Sequence, residues 1–259
     1  MTQPQFLKYH GGKFYMADAI ISRFPKHELY IEPFLGGGAV LQRMRGPRVG
    51  ADVDTDLINL WQMLQDSDEF SHAIGGQVYC EQAWNFWTSD PNRGSSPIEL
   101  AMARLIRQRF SRGGMGKTFA WSERLRGGQP GDVNAWQNFQ KALPQIRRSI
   151  EGVKFYAQSF SLTMRDHDSS DTLFYCDPPY LPSTRTAKKV YEHEMSISDH
   201  EWFLKVATDL KGKVVISGYP NSLYDTALSG WTRHTISMPN HSGQGTSKQR
   251  RTEVLWVKP

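Results

Sequence analysis

The run Thr172-Leu173-Phe174-Tyr175-Cys176 ends at Asp177-Pro178-Pro179-Tyr180, and this junction limits what the chain can fold into more than any other stretch. Consecutive β-branched, apolar and aromatic residues predict a buried strand. The two prolines must end it, because neither offers the N–H that a sheet ladder needs. The expected result is a stiff turn at the C-terminal edge of a strand, where open α/β sheets hold their ligands. Such a turn displays the Asp177 carboxylate, the Pro178 carbonyl with no amide neighbour competing, and the Tyr180 ring. That set suits a planar amine, whose N–H groups meet the two acceptors while the ring stacks on its plane. A Pro-Pro loop that merely caps a strand is the alternative for these four residues alone.

The same grammar recurs upstream. Leu29-Tyr30-Ile31-Glu32-Pro33-Phe34 predicts a second buried strand, followed by Leu35-Gly36-Gly37-Gly38 and a helix-like segment from Ala39 to Arg45. Strand, glycine turn and helix is the layout of a nucleotide-binding βα unit. No Gly-Lys-Ser/Thr follows, and the glycines lack the G-x-G-x-x-G spacing, so neither a P-loop nor a dinucleotide fingerprint is present. Glu32, just before the turn, is placed to take the amino group of an amino-acid-like ligand. The next strand, Arg48 to Val53, brings Asp52 to a position 14 residues beyond Gly38. An acid at the end of the second strand is where such folds hold a ribose hydroxyl. Asp54 and Asp56 read instead as caps of a helix from Asp56 to Gln65, with Leu57, Leu60, Trp61 and Leu64 on its apolar face.

Ahead of these lies Phe6-Leu7-Lys8-Tyr9-His10-Gly11-Gly12-Lys13. Paired glycines let a ligand approach closely, two lysines can meet an anion, and Tyr9 can stack on a ring; an ordinary turn with solvated lysines is the alternative. A short amphipathic helix is expected from Phe14 to Phe24.

From Ser67 to Ile150 the strand–helix alternation stops. Helical patterns cover Glu81 to Thr88 and Pro97 to Phe110, and Asp132 is placed to cap a further helix bearing Trp136, Phe139, Leu143 and a kinking Pro144. Residues 93–126 hold eight basic side chains (Arg93, Arg104, Arg107, Arg109, Arg112, Lys117, Arg124, Arg126) against Glu99 and Glu123. Within them Ser111 to Trp121 alternates glycine, base and aromatic, which suits phosphate contacts and an apolar wedge between bases; a solvated basic face is the alternative. The sheet rhythm resumes with Val153 to Ala157. After the Asp-Pro-Pro-Tyr strand come a polar lid from Leu181 to Met195, a capping box at Ser198 and Glu201, and a strand Val214 to Ser217. A helix from Asn221 to Leu228 and an antiparallel pair, Arg233 to Met238 and Thr252 to Val257, complete the chain. Their long connection is basic (Lys248, Arg250, Arg251) and offers a second nucleic-acid contact.

A chain of 259 residues with a net charge of +5 has room for one domain with a sizeable insertion, and its basic balance favours a polyanionic partner. Cys80 and Cys176, far apart in sequence, form neither a disulfide framework nor a zinc cluster. With no signal-type leader and no bilayer-length apolar stretch, a soluble cytoplasmic protein, bacterial or phage-encoded, is expected.

Four stretches taken together resemble the DNA adenine-N6 methyltransferases of the Dam type, the D12 class. They are Lys8 to Lys13, Glu32 to Gly38, Ala51-Asp52-Val53-Asp54-Thr55-Asp56-Leu57-Ile58, and Asp177 to Tyr180. The resemblance implies an α/β, Rossmann-like S-adenosylmethionine-dependent methyltransferase sheet with an inserted, mainly helical target-recognition domain. Residues 1–66 and 151–259 would form the catalytic domain and 67–150 the DNA-binding one. It further implies S-adenosyl-L-methionine as cofactor, contacted by Tyr9, Lys13, Asp52 and Asp177, with Glu32, Phe34, Gly36 and Gly38 in its pocket. The partner would be double-stranded DNA, met by Lys8 and by Arg109, Arg112, Lys117, Arg124, Arg126, Lys248 and Arg250. No metal is called for, and a monomer or weak dimer is expected. Asp177, Pro178 and Tyr180 would act on a flipped adenine. Two departures stand out: Arg109 to Trp121 is rich in glycine and arginine where the family often has an asparagine-rich segment leading to Gly-x-Phe-Asn, and His10 replaces a small residue. Cytosine N4, RNA or a protein glutamine are rival acceptors for the same amine-gripping turn, and a non-catalytic nucleic-acid-binding module is the rival from another class.

Overall fold

The computed structural model describes residues 3–9, 11–89, 96–184, 194–239 and 250–259. In chain order the first elements are α1 (Ala17–Ile21), β1 (Leu29–Glu32), β2 (Arg48–Asp52), α2 (Thr55–Asp66), α3 (Asp68–Gly76) and α4 (Glu81–Thr88). Then come α5 (Pro97–Arg109), β3 (Leu125–Arg126), β4 (Gln129–Pro130), α6 (Gly131–Ser149), β5 (Lys154–Ala157) and α7 (Phe160–Asp166). The last are β6 (Thr172–Cys176), α8 (Ile197–Asp209), β7 (Lys213–Gly218), α9 (Ser222–Ala227), β8 (Thr232–Pro239) and β9 (Arg250–Val257). The chain divides into two compact units, one of Met1–Phe14, Gly36–Arg43 and Asp54–Ala157, the other of Tyr15–Leu35, Met44–Val53 and Gln158–Pro259.

The second unit is built on a sheet. β1 pairs in parallel with β2 on one side, Ile31 opposite Val49, and with β6 on the other, Ile31 opposite Phe174. β6 pairs in parallel with β7, and β9 runs antiparallel to both β7 and β8, so the order is β2-β1-β6-β7-β9-β8. Parallel strands covered on both faces read as unbroken apolar runs, and β6 is buried at every position. Ile31, Val49, Phe174 and Ile216 from the sheet meet Met164 of α7 and Phe203, Leu204 and Ala207 of α8. The strand order reverses between β1 and β6, which makes this a Rossmann-like sheet with its topological switch point at those two strands.

The first unit is mainly helical. The apolar face of α2 (Leu57, Leu60, Trp61, Leu64) is fully buried, as is the α5 face of Ala101, Leu105 and Ile106. Phe6 from the N-terminal segment lies 4.7 Å from the Trp61 ring and 6.1 Å from that of Phe139. The Trp61 indole donates to the Gly36 carbonyl at 3.2 Å. Asp54 caps α2 by accepting from the Leu57 amide at 2.9 Å, and its other oxygen takes the Arg104 guanidinium of α5 in a buried ion pair. α3, which the hydrophobic pattern did not reveal, is capped by Ser67 and buries Phe70 and Ile74.

Four expected elements are corrected. Ala39 to Arg45 does not become a helix: a single 3-10 turn at Leu41–Arg43 forms. Seven residues between Gly38 and Gly46-Pro47 are too few to offset the cost of helix nucleation. The helix expected from Phe14 to Phe24 shortens to α1. Asp132 does not cap α6, because the β3–β4 hairpin runs directly into it with Pro130 at the cap; Asp132 lies in the first turn, where the helix dipole favours an acid. The capping box of α8 is Ser196 with Asp199, two residues before the expected pair, and both reciprocal bonds form. The expected lid from Leu181 to Met195 lies largely outside the described residues.

Arg104 and Asp54 form a test of the first unit. Removing one partner of a buried pair leaves the other desolvated without its counter-charge, typically at a cost of about 3 kcal/mol. Arg104→Met is expected to lower unfolding stability by about that amount in urea denaturation, and a change below about 0.5 kcal/mol would contradict the assignment.

Candidate active site

Asp177 follows β6 directly and is half-buried, while Pro178 is buried. Its Oδ1 accepts from the Ser217 hydroxyl at 2.9 Å. Tyr180 is nearly enclosed: its hydroxyl donates to the Glu253 carboxylate, 3.1 Å from each oxygen, and its ring stacks on Tyr219 with centroids 4.2 Å apart and planes 28° apart. Tyr219 follows the end of β7, and Glu253 lies on β9. The turn is therefore braced by the two strands beyond β6, and one face of the Tyr180 ring is taken by Tyr219.

Two further acids of this unit lie at the neighbouring strand ends. Glu32 closes β1 with 3% of its surface exposed, and its Oε1 accepts from the Tyr30 hydroxyl at 2.6 Å. Burial, then the Glu32 charge, raises the Tyr30 pKa well above the phenolic value, so Tyr30 remains a donor. Asp52 closes β2, half-buried, and its carbonyl accepts from the Gln158 amide at 3.0 Å. The Phe34 ring stacks on Phe160 at 5.2 Å and meets the Phe203 ring edge-on at 5.3 Å. Cys176 is buried, and its thiol is pushed up by burial and then by the Asp177 charge, so it is inert as a nucleophile.

In the first unit Tyr9 lies flat against the glycine turn. A Cβ on Gly36 would come 3.0 Å from the Tyr9 ring, and one on Gly37 would come 2.8 Å from the Tyr9 Cβ. Gly36 and Gly38 have φ values of +45° and +56°, which side-chain-bearing residues resist. Lys13 is buried, with Nζ 3.2 Å from the Gly11 carbonyl. Lys8 donates to the Arg109 carbonyl at 3.1 Å, and burial, then the Arg109 charge, lowers its pKa.

Arg109 itself corrects an expectation. It is not a surface phosphate ligand: with 7% of its surface exposed, it donates to the Phe6 and Gln5 carbonyls at 2.7 and 3.0 Å, and its guanidinium lies 4.0 Å over the Phe139 ring. Burial pushes it down to about 9, still charged at neutral pH. Arg112, Lys117, Arg124 and Arg126 are exposed, the last two on and beside the β3–β4 hairpin, with Trp121 and Leu125 exposed nearby in sequence. Lys248 lies outside the described residues, and Arg250 is described only through its backbone as the first residue of β9.

Sequence reasoning missed Tyr30, Tyr175, Ser217, Tyr219 and Glu253. Tyr30 was within reach, since residues two apart on a strand share a face and Glu32 was already singled out. Tyr219, at the end of β7, repeats the strand-then-aromatic pattern of the Asp177 turn. Glu253 left no local signal, because its partner is 73 residues away.

No group of three or more His, Cys, Asp or Glu side chains among the described residues is arranged to hold a metal ion, and no described helix is long and apolar enough to cross a membrane. A Rossmann-like sheet carries acids at the ends of β1 and β2 and the Asp177-Pro178-Pro179-Tyr180 turn at the end of β6, and the class of the protein is that of the methyltransferases. Residues 9–85 and 131–237 match the profile of the D12 class N6 adenine-specific DNA methyltransferases, and the chain belongs to that family. The DNA adenine methylase of Escherichia coli (strain K12) is 28% identical over 202 residues, covering 74% of this chain and 70% of that protein. The DNA adenine methylase of Salmonella typhimurium is 27% identical over 275 residues, covering 96% and 93%. Among solved structures, the rRNA methyltransferase aviRa from Streptomyces viridochromogenes shares 14% identity at a TM-score of 0.40 over 94% of this chain and 84% of that one, a likeness too distant to add to the fold described above. The chain is an adenine-specific DNA methyltransferase whose methyl donor is S-adenosylmethionine.

Gly114 supplies the test of how Lys8 is held. Its φ is +72°, and a Cβ there would lie 2.1 Å from the Lys8 carbonyl oxygen, which is backbone and cannot move aside as a flexible side chain does. Gly114→Ala is expected to cost about 2 kcal/mol or more in chemical denaturation; wild-type stability would show that the loop does not rest on Lys8.

Proposed function

We propose that the enzyme transfers a methyl group from S-adenosylmethionine to N6 of an adenine flipped out of duplex DNA. The observation that supports it best is the half-buried Asp177 carboxylate at the end of β6, beside the reversal of strand order, followed by a Pro178 carbonyl that precedes a second proline. An adenine amine has its lone pair delocalised into the ring and is a poor nucleophile. Accepting one hydrogen at Asp177 and the other at the Pro178 carbonyl draws the nitrogen towards tetrahedral geometry and restores the lone pair. The carboxylate then faces the positive charge that develops on nitrogen, and the Tyr180 ring, backed by Tyr219, supplies a stacking surface. An amine inside a duplex cannot reach such a turn, so the base must leave the stack.

The donor set fits the cofactor. Glu32 suits its amino group, Asp52 its ribose hydroxyls and Phe34 an apolar wall, while Tyr9, Lys13, Gly36 and Gly38 of the first unit keep the assignment that the motif resemblance implies. When bound, the cofactor supplies an electrophilic methyl group. Residues 67–150 serve target recognition in this proposal, with Lys8, Arg112, Lys117, Arg124 and Arg126 meeting DNA. The exposed hairpin bearing Arg124 and Arg126 combines charge with the apolar Leu125, as phosphate contact plus insertion requires.

Methyl transfer from tritiated S-adenosylmethionine, compared on duplex and single-stranded DNA with nucleoside analysis of the product, tests the whole proposal. Label in N6-methyladenine with a preference for duplex is expected. Asp177→Ala should lower kcat about a thousandfold while cofactor affinity falls less than about tenfold; near wild-type turnover would remove Asp177 from the mechanism. The Arg124→Ala/Arg126→Ala double variant should reduce the slope of log K against log salt for DNA binding by about 2 if both arginines meet phosphates. An unchanged slope would place the DNA elsewhere.

A further inference from the structure

Ser217 is the penultimate residue of β7 and is fully buried. Its hydroxyl lies 2.9 Å from Asp177 Oδ1 and 2.9 Å from the hydroxyl of Tyr175, which is itself buried on β6. The strand register brings these three groups together. Tyr175 stands opposite Val215 and Cys176 opposite Ile216, so the next step along each strand sets Asp177 beside Ser217. Tyr175 and Asp177, two residues apart, share a face of the sheet.

The proton order in this chain of groups follows from what each can do. A carboxylate accepts only, so the single Ser217 proton is directed at Asp177. The competing Cys176 carbonyl, at 3.5 Å, is at the limit of hydrogen bonding. With its proton so engaged, Ser217 accepts from Tyr175, and Tyr175 is the donor. Both hydroxyls therefore point towards the carboxylate. Ser217 occupies one lone-pair site on Oδ1 and restricts the rotation of the Asp177 side chain, while Tyr175 orients Ser217 from behind. Because both protons already point inward, the chain cannot take a proton away from Asp177 without reversing, and it acts by orientation and not as a relay.

We propose that Ser217, itself oriented by Tyr175, is a positioning residue for methyl transfer, holding the Asp177 carboxylate in the orientation that accepts the target amine. The proposal rests on Asp177 being that acceptor, and nothing else in the mechanism assigns a role to either hydroxyl. Losing Ser217 leaves Asp177 present without the hydrogen bond that orients its Oδ1, which affects the transition state more than the binding of either substrate.

The test compares Ser217→Ala, Ser217→Thr, Tyr175→Phe and the Ser217→Ala/Tyr175→Phe double variant, as full-length proteins, for methyl transfer to unmethylated duplex DNA and for equilibrium binding of S-adenosylmethionine. Ser217→Ala is expected to lower kcat about 10- to 100-fold, with cofactor affinity and the KM for DNA within about threefold of wild type. Ser217→Thr, which keeps the hydroxyl, should recover most of the rate. Tyr175→Phe should cost less than Ser217→Ala, and the double variant should be no slower than Ser217→Ala alone if Tyr175 acts through its bond to Ser217. Wild-type kcat in Ser217→Ala alongside an inactive Asp177→Ala overturns the positioning role and leaves the acceptor role standing. An active Asp177→Ala overturns the acceptor role first. If Ser217→Ala does not fold, Tyr175→Phe decides, and an unchanged kcat there overturns the proposal.

Discussion

The prolines at 178 and 179 set the constraint on which the sheet-bearing unit of this protein depends. A strand cannot extend through residues that lack an N–H, so β6 stops at Cys176 wherever the rest of the sheet would take it. β6 lies between β1 and β7, and its ending places Asp177 among the ends of the parallel strands. Glu32 and Asp52 close β1 and β2, and Ser217 and Tyr219 are the penultimate residue of β7 and the residue after its end. Each of these acids and hydroxyls is presented by a buried strand, on backbone that neighbouring strands hold rigid, which is the condition for a carboxylate to be aimed rather than merely present.

The first unit uses a different device. Its N-terminal segment is held by arginine and glycine: Arg109 grips the Gln5 and Phe6 carbonyls from the end of α5, Lys8 returns a bond to the Arg109 carbonyl, and Gly114 lets its loop lie on the Lys8 backbone. Arg104, earlier on α5, does comparable work at the N-terminus of α2 through Asp54. Both arginines belong to the basic excess that suggests a nucleic-acid partner, yet both are interior. Charge counted along a sequence overstates charge available at a surface when an arginine can be buried against carbonyls, a carboxylate or a ring.

Much of the sheet was legible because parallel strands buried on both faces advertise themselves as apolar runs, each ended by an acid, a glycine or a proline; β1, β2, β6 and β7 all follow that rule. Three of the four motifs were legible for the same reason, since each lies at a strand end or in the turn after it, whereas Lys8 to Lys13 lies in the N-terminal segment ahead of β1. What was not legible was of two kinds. Local competition decided the 3-10 turn at Leu41–Arg43, the start of α8 at Ser196 and the start of α6 beyond Pro130, where two adjacent signals were both acceptable and tertiary context chose one. Long-range pairing decided the rest: nothing near Glu253 announces Tyr180, and nothing near Ser217 announces Asp177.

The placing of β9 has a consequence for the order in which this molecule can be assembled. β9 follows β8 in sequence, yet it lies between β7 and β8 and contributes Glu253 to the Tyr180 turn. While a ribosome is still delivering residues beyond Pro239, β7 has one unpaired edge, and such an edge invites pairing with another chain. The same late arrival means that Tyr180 gains its carboxylate partner only when the terminal hairpin closes. Completion of the sheet and bracing of the Tyr180 turn are therefore one event.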